Sequence, residues 1–243
     1  MSAKMLVTQF AVLVLACGSV RAGVIFSDDF NTGSTPDPTK WTLVQDSGCS
    51  VYLSGGSMYA SFKGEVAPRY AYASSPILDL SAGWEEIKLV GEWAFPTQGY
   101  GECFIMLVDP ADTSVRVQAT YVNWVGSSAQ KAFRTYYTGH GEYVNRSSLP
   151  TTLTEFQLTV TPTGWSFTTE DGAISKTYAT THMAGLSQVQ FKIGGYEYSK
   201  VSNLAQFDNI QFTPEPGTMA LLAMGGLAML RRGKRSPAAG RCR

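Results

Sequence analysis

Between Val24 and Phe212 apolar side chains recur at every second residue in short runs, and this period limits the fold more than any other feature of the chain. A two-residue repeat puts alternate side chains on opposite faces of a strand, whereas a helical stripe needs a period of 3.6. Ile87, Leu89, Gly91, Trp93 and Phe95 alternate with Glu86, Lys88, Val90, Glu92 and Ala94. Val115, Val117, Ala119 and Tyr121 alternate with Arg116, Gln118 and Thr120. Phe156, Leu158 and Val160, and then Val189, Phe191 and Ile193, repeat the pattern against polar neighbours. Further strands are expected near 24–30, 41–45, 50–53, 57–62, 70–74, 102–108, 132–138, 165–170, 174–179 and 204–212. Met183–Leu186 is read as a single turn. Many short strands at this spacing predict an all-β fold, a two-sheet antiparallel sandwich.

Turn chemistry supports the pairing. Thr161-Pro162-Thr163-Gly164 joins one pair of strands and Glu170-Asp171-Gly172 the next, so 156–178 reads as a three-stranded meander. The chain shows no internal repeat and no inner linker, so residues 23–212 are read as one domain.

The two ends read as addresses. One lysine, an uncharged apolar run from Met5 to Ala16 and the small residues before Ala22 have the order of a secretory signal peptide, with cleavage expected after Ala22. At the other end, Pro214-Glu215-Pro216 precedes an apolar run from Thr218 to Leu230 and then Arg231-Arg232-Gly-Lys234-Arg235. The two prolines are expected to stop the preceding strand, since proline lacks a donor N–H. The apolar run spans about 20 Å as a helix, short of a bilayer's ~30 Å core, and the basic cluster fixes its inner end. This arrangement resembles the PEP-CTERM sorting signal. The resemblance implies membrane insertion of 213–235, recognition by an exosortase through Pro214, Glu215, Pro216, Arg231 and Arg232, and delivery to the cell envelope or an extracellular matrix. Residues 236–243 are read as a disordered tail.

Charge follows the same division. Lysine plus arginine and aspartate plus glutamate number 19 each, but residues 23–216 hold 11 basic and 19 acidic residues, a net charge of −8. That balance lacks the cationic surplus that releases counterions from phosphates, so nucleic acid is excluded as a partner.

Within the domain, the opening Phe26-Ser27-Asp28-Asp29-Phe30, Trp41, the meander and the closing Phe207-Asp208-Asn209-Ile210-Gln211-Phe212 resemble concanavalin A-like, laminin-G-like jelly rolls. The resemblance implies that the first and last strands pair. A galactose-binding-like carbohydrate module, with similar end strands, is the competing resemblance.

Some concanavalin A-like folds are glycoside hydrolases, which need two carboxylates about 5–10 Å apart across one cleft. Glu92 and Glu102 are the best candidates, but no Glu-x-Asp-x-x-Glu run is present, and the residues are read as non-catalytic. A secreted hydrolase or lyase remains the alternative. Binding reads better. Aromatic residues stand in polar or turn-rich stretches: Tyr70, Tyr72, Tyr100, Trp124, Tyr136, Tyr137, Tyr143, Tyr196 and Tyr198. Such rings stack on sugar C–H faces while neighbouring polar groups bond the hydroxyls. Tyr121, Asn123, Trp124, Tyr136, Tyr137 and Tyr143 form the candidate site for a polysaccharide. Asp28, Asp29 and Asp208, from end strands that would be neighbours, are candidate ligands of a structural calcium ion. Cys49 and Cys103, the two cysteines outside the end segments, are candidates for a disulfide in an oxidising compartment.

Overall fold

The computed structural model describes residues 24–63, 68–97, 99–124, 130–197 and 202–215, with the side chains of 97, 124 and 130 excepted. Residues 1–22, where a signal peptide is expected, Pro216, Arg231, Arg232, the apolar run 218–230, residues 236–243 and Tyr198 lie outside the described residues. No helix among the described residues is long and apolar enough to cross a membrane.

Two eight-stranded antiparallel sheets make the sandwich. The first runs β14 (Ile174–Ala179), β13 (Gly164–Thr169), β12 (Thr154–Thr161), β7 (Glu86–Thr97), β16 (Asn203–Glu215), β4 (Ser57–Phe62) and β3 (Ser50–Ser54), with β1 (Phe26–Asp28) paired to β16. The second runs β11 (His140–Arg146), β10 (Gln130–Tyr137), β9 (Arg116–Trp124), β8 (Gly101–Val108), β15 (Gln188–Glu197), β5 (Arg69–Ser74) and β2 (Thr42–Gln45), with β6 (Leu78–Asp79) paired to β15. The first and last strands pair as the resemblance implied, with Phe26 opposite Phe212. The meander forms β12, β13 and β14, and its first turn joins Thr161 to Gly164.

The alternation places the core. Ile87, Leu89, Trp93 and Phe95 of β7 and Val117, Ala119 and Tyr121 of β9 point between the sheets and are fully buried. Trp93 is the centre of one half: its ring stacks on Tyr121 at 4.1 Å and meets Phe133, Phe156 and Phe167 edge-on. Its Nε1 donates to Thr169 Oγ1 at 2.9 Å, so the buried indole N–H is satisfied. A second cluster joins Phe26, Trp41, Phe191 and Phe212. The sheets approach closely at Gly195, where a Cβ would sit 2.2 Å from the Phe62 ring.

Two expectations are corrected. β16 does not stop at the prolines: Pro214 pairs with Ile87 and Glu215 with Glu86. Beyond Phe212 the neighbour of β16 among the described residues is β7 on one side only, and an edge position tolerates a residue without an N–H. The strands expected from the sequence leave out 140–146, but this segment forms β11, turned from β10 at Thr138-Gly139, where Gly139 adopts φ 84°.

Candidate functional site: the outer face of the second sheet

Strand parity decides which side chains reach this face. On β8, Cys103, Ile105 and Leu107 enter the core, which turns Glu102, Phe104, Met106 and Val108 outward. The same parity presents Tyr70 and Tyr72 from β5, Lys192 and Tyr196 from β15, Arg116 and Gln118 from β9, and Arg134 and Tyr136 from β10. Residues from these strands line a groove of about 260 Å³.

Four rings make its floor. Tyr70 lies 5.4 Å from Tyr196 and 6.4 Å from Tyr72, and Phe104 lies 6.1 Å from Tyr72 and 6.4 Å from Tyr196. Glu102, almost wholly buried, is held at 2.6 Å by Arg134 Nη2. Burial raises the Glu102 carboxyl above its ordinary value; Arg134 and a hydrogen bond from Tyr196 oppose that shift without cancelling it. Lys192 Nζ stands 5.6 Å from the Tyr72 ring centroid, Arg116 lies 4.8 Å over Tyr136 and Arg134 lies 5.8 Å over Tyr143.

A larger hollow of about 530 Å³ lies on the opposite side of the sandwich, lined by Gly91, Glu92, Glu155, Asp171 and Asn209 among others. The aromatic ring at its wall, Phe156, is 3% exposed and belongs to the core, so the hollow offers no stacking face. Glu92 accepts from Asn209 Nδ2 at 2.7 Å on this first sheet, while Glu102 is on the second. The two carboxylates are therefore not a pair across one cleft.

The aromatic candidates divide. Tyr136 and Tyr143 stand on the outer face, joined to Arg116 and Arg134. Tyr121 is buried against Trp93, with its hydroxyl donating to Glu170 at 2.9 Å, and is core rather than ligand site. Asn123 is buried and donates to Gly99 O at 2.8 Å. Tyr137 has the opposite parity to Tyr136 and packs on Trp165, Tyr178 and His140. The Trp124 side chain lies outside the described residues. Sequence reading did not bring Glu102, Arg116, Arg134 and Lys192 to the rings; their polar parity on four strands was the available signal.

The expected calcium ligands are not assembled. Asp28 spends its two oxygens on Trp41 Nε1 at 2.8 Å and Phe30 N at 3.0 Å. Asp208 accepts from Ser57 Oγ at 3.3 Å and from Asn209 N at 2.7 Å, and Asp29 caps Asn31 N at 3.3 Å. No group of three or more His, Cys, Asp or Glu able to hold a metal occurs among the described residues. The expected disulfide is also corrected. Both thiols are free: Cys103 is sealed in the core of β8 beside Ala94 O, and Cys49 sits by Lys63 O.

Residues 212–235 match the PEP-CTERM protein-sorting motif, which marks the chain as exported, membrane-anchored and destined for the envelope or the extracellular space. No curated protein matches the chain in sequence. Among solved structures, the chain is similar to a GlcNAcα1-4Gal releasing endo-β-galactosidase from Clostridium perfringens, with a TM-score of 0.57 at 13% identity over 82% of this chain; it spans 64% of that enzyme. It is similar to a non-specific endo-β-1,3(4)-glucanase from family GH16, with a TM-score of 0.57 at 11% identity over 80% of this chain and 91% of that one. It is also similar to a protein described as an immunostimulatory antigen and pseudo β-1,3-glucanase of Mycobacterium tuberculosis, with a TM-score of 0.56 at 11% identity over 79% of this chain and 99% of that one. These neighbours overturn the expectation that catalysis can be set aside: endo-glucanases and an endo-galactosidase share this fold, and the missing Glu-x-Asp-x-x-Glu run does not take the chain out of their company. The chain is a concanavalin A-like jelly roll carrying a PEP-CTERM sorting signal at its C-terminal end.

Proposed function

We propose that the exported sandwich acts on an extracellular polysaccharide held across the outer face of β5, β15, β8, β9 and β10. The observation that carries this reading is the ring floor of Tyr70, Tyr72, Phe104 and Tyr196 beside the Glu102–Arg134 pair. Rings of this kind cover sugar C–H faces, and the polar groups between them orient hydroxyls. Glu102, held by Arg134 beside these rings, is the carboxylate of this face that bond cleavage would use. In the same reading residues 1–22 are removed on export and an exosortase processes the tail near Pro214-Glu215-Pro216.

The test is retention of the purified full chain on a panel of immobilised polysaccharides, with release of reducing ends measured in parallel. Tyr72→Ala is expected to weaken retention about tenfold, in keeping with loss of one aromatic anchor. Glu102→Gln is expected to abolish release of reducing ends. Failure of the wild-type chain to be retained on any member of the panel would sink the reading.

A further inference from the structure

The groove carries more positive charge than its surroundings explain. Arg116, Arg134 and Lys192 face it from three strands, although residues 23–216 carry a net charge of −8. One of the three is neutralised: Arg134, by Glu102. Arg116 and Lys192 have no carboxylate partner among the described residues. The acids nearest Arg116 in the chain are turned to their own loop. Asp109 accepts from Ala111 N at 2.8 Å, and Asp112 accepts from Ser114 N at 3.0 Å and Ser114 Oγ at 2.7 Å. Asp46, at the Tyr70 end, accepts from Tyr70 N at 2.7 Å.

Arg116 and Lys192 also work against each other. Burial lowers the Lys192 ammonium below its ordinary value, and the Arg116 charge lowers it further. Two like charges facing one half-buried groove disfavour the charged state unless an anion sits between them. Hydrogen bonding gives the same sign. The Nε atoms of Arg116 and Arg134 are buried without an acceptor. A buried donor left unmet is costly, and an acceptor-rich ligand would recover that cost. A neutral glucan brings hydroxyls that donate as often as they accept, and it leaves the charge where it was.

Resting on the polysaccharide reading above, we infer that the polymer is anionic: its carboxylate or sulfate groups dock between Arg116 and Lys192 while its sugar rings lie on Tyr70, Tyr72 and Tyr196. Arg116 presents a planar fork of donors that matches either group, and Lys192 supplies a point charge. Their cation–π contacts with Tyr136 and Tyr72 hold both heads over the groove.

The experiment compares retention of the full chain on alginate (a polyuronate), on a sulfated galactan and on laminarin (a neutral β-1,3-glucan), at low and at ~0.5 M salt. The expected result is retention on alginate or the sulfated galactan at least tenfold tighter than on laminarin, weakened by salt. The stronger of the two anionic arms names the acidic group. Arg116→Gln and Lys192→Gln are each expected to lower retention on that polymer about tenfold, with the melting temperature within a few degrees of wild type. Equal or tighter retention on laminarin, indifferent to salt and to both variants, overturns the anionic inference and leaves the polysaccharide reading standing. No retention on any of the three overturns the inference and also counts against that reading. If Arg116→Gln unfolds the chain, Lys192→Gln alone decides, since Lys192 takes no part in an ion pair.

Discussion

Glu102 and Arg134 are joined across the full width of β9: the carboxylate comes from β8, the guanidinium from β10, and their atoms meet at 2.6 Å over the strand between. The Glu102 side chain is 3% exposed and that of Arg134 is 18% exposed, so water does little to screen either. The first prediction follows from that burial. Arg134→Gln strands a buried carboxylate and should cost about 3–5 kcal/mol, while the double variant Glu102→Gln, Arg134→Gln should cost less than the single one. Denaturant unfolding measures both.

The pH dependence has a definite sign. Burial holds the Glu102 carboxyl above its ordinary value in the folded chain. A group raised on folding contributes stability that is fully present below its unfolded value and is lost as pH rises through the folded one. Glu102 should therefore favour the fold in acid and cease to do so as pH climbs above about 4.5. Glu102→Gln should remove that component from a pH series of melting temperatures; an unchanged slope would refute the assignment.

Tyr121 separates core from ligand. Tyr121→Phe removes the hydroxyl that donates to Glu170 and meets Thr169 at 3.5 Å, and should lower stability by about 1–3 kcal/mol. Retention on polysaccharide should not change. Loss of retention with unchanged stability would return Tyr121 to the binding face.

Gly195 tests the spacing of the sheets. A methyl group there would meet the buried Phe62 ring, so Gly195→Ala should destabilise by about 1–3 kcal/mol through overpacking. Adding Phe62→Leu should recover part of the loss, which thermal unfolding can read.

The sorting signal is tested by replacing Pro214-Glu215-Pro216 with alanines in a host that has the exosortase. Full-length chain should then accumulate in the membrane, as judged by size and fractionation. Unchanged size and location would contradict processing at the motif. Mass spectrometry of the exported wild-type chain should find Gly23 at its N-terminus.

Strand parity made much of the fold legible. The runs 87–95, 117–121, 156–160 and 189–193 entered the core as their alternation required, because each strand has one wet face and one dry one. Parity also explains two candidate-site errors. Tyr136 and Tyr137 are adjacent, so one strand sends them to opposite faces, and Tyr121 shares the phase of Val117 and Ala119. β11 was hidden because an edge strand needs no apolar alternation. The groove was the least legible part. Its cations come from β9, β10 and β15, and only the sheet order β10-β9-β8-β15 makes them neighbours. Register between distant strands is a tertiary fact with no local trace.

The pairing of Phe26 with Phe212 has a mechanical consequence. Ile25 N donates to Phe212 O at 3.1 Å, so the chain enters the sandwich beside the place where it leaves. The exit strand, β16, lies between β7 on one side and β4 and β1 on the other. Tension applied to the tail along β16 runs across its antiparallel hydrogen bonds, which lie perpendicular to the strand and must shear together instead of parting one by one. Resistance to such tension is governed by the unfolding rate. With the tail leaving the first sheet and the groove on the second, a load held in the groove would reach the tail only through the whole packed thickness of the sandwich.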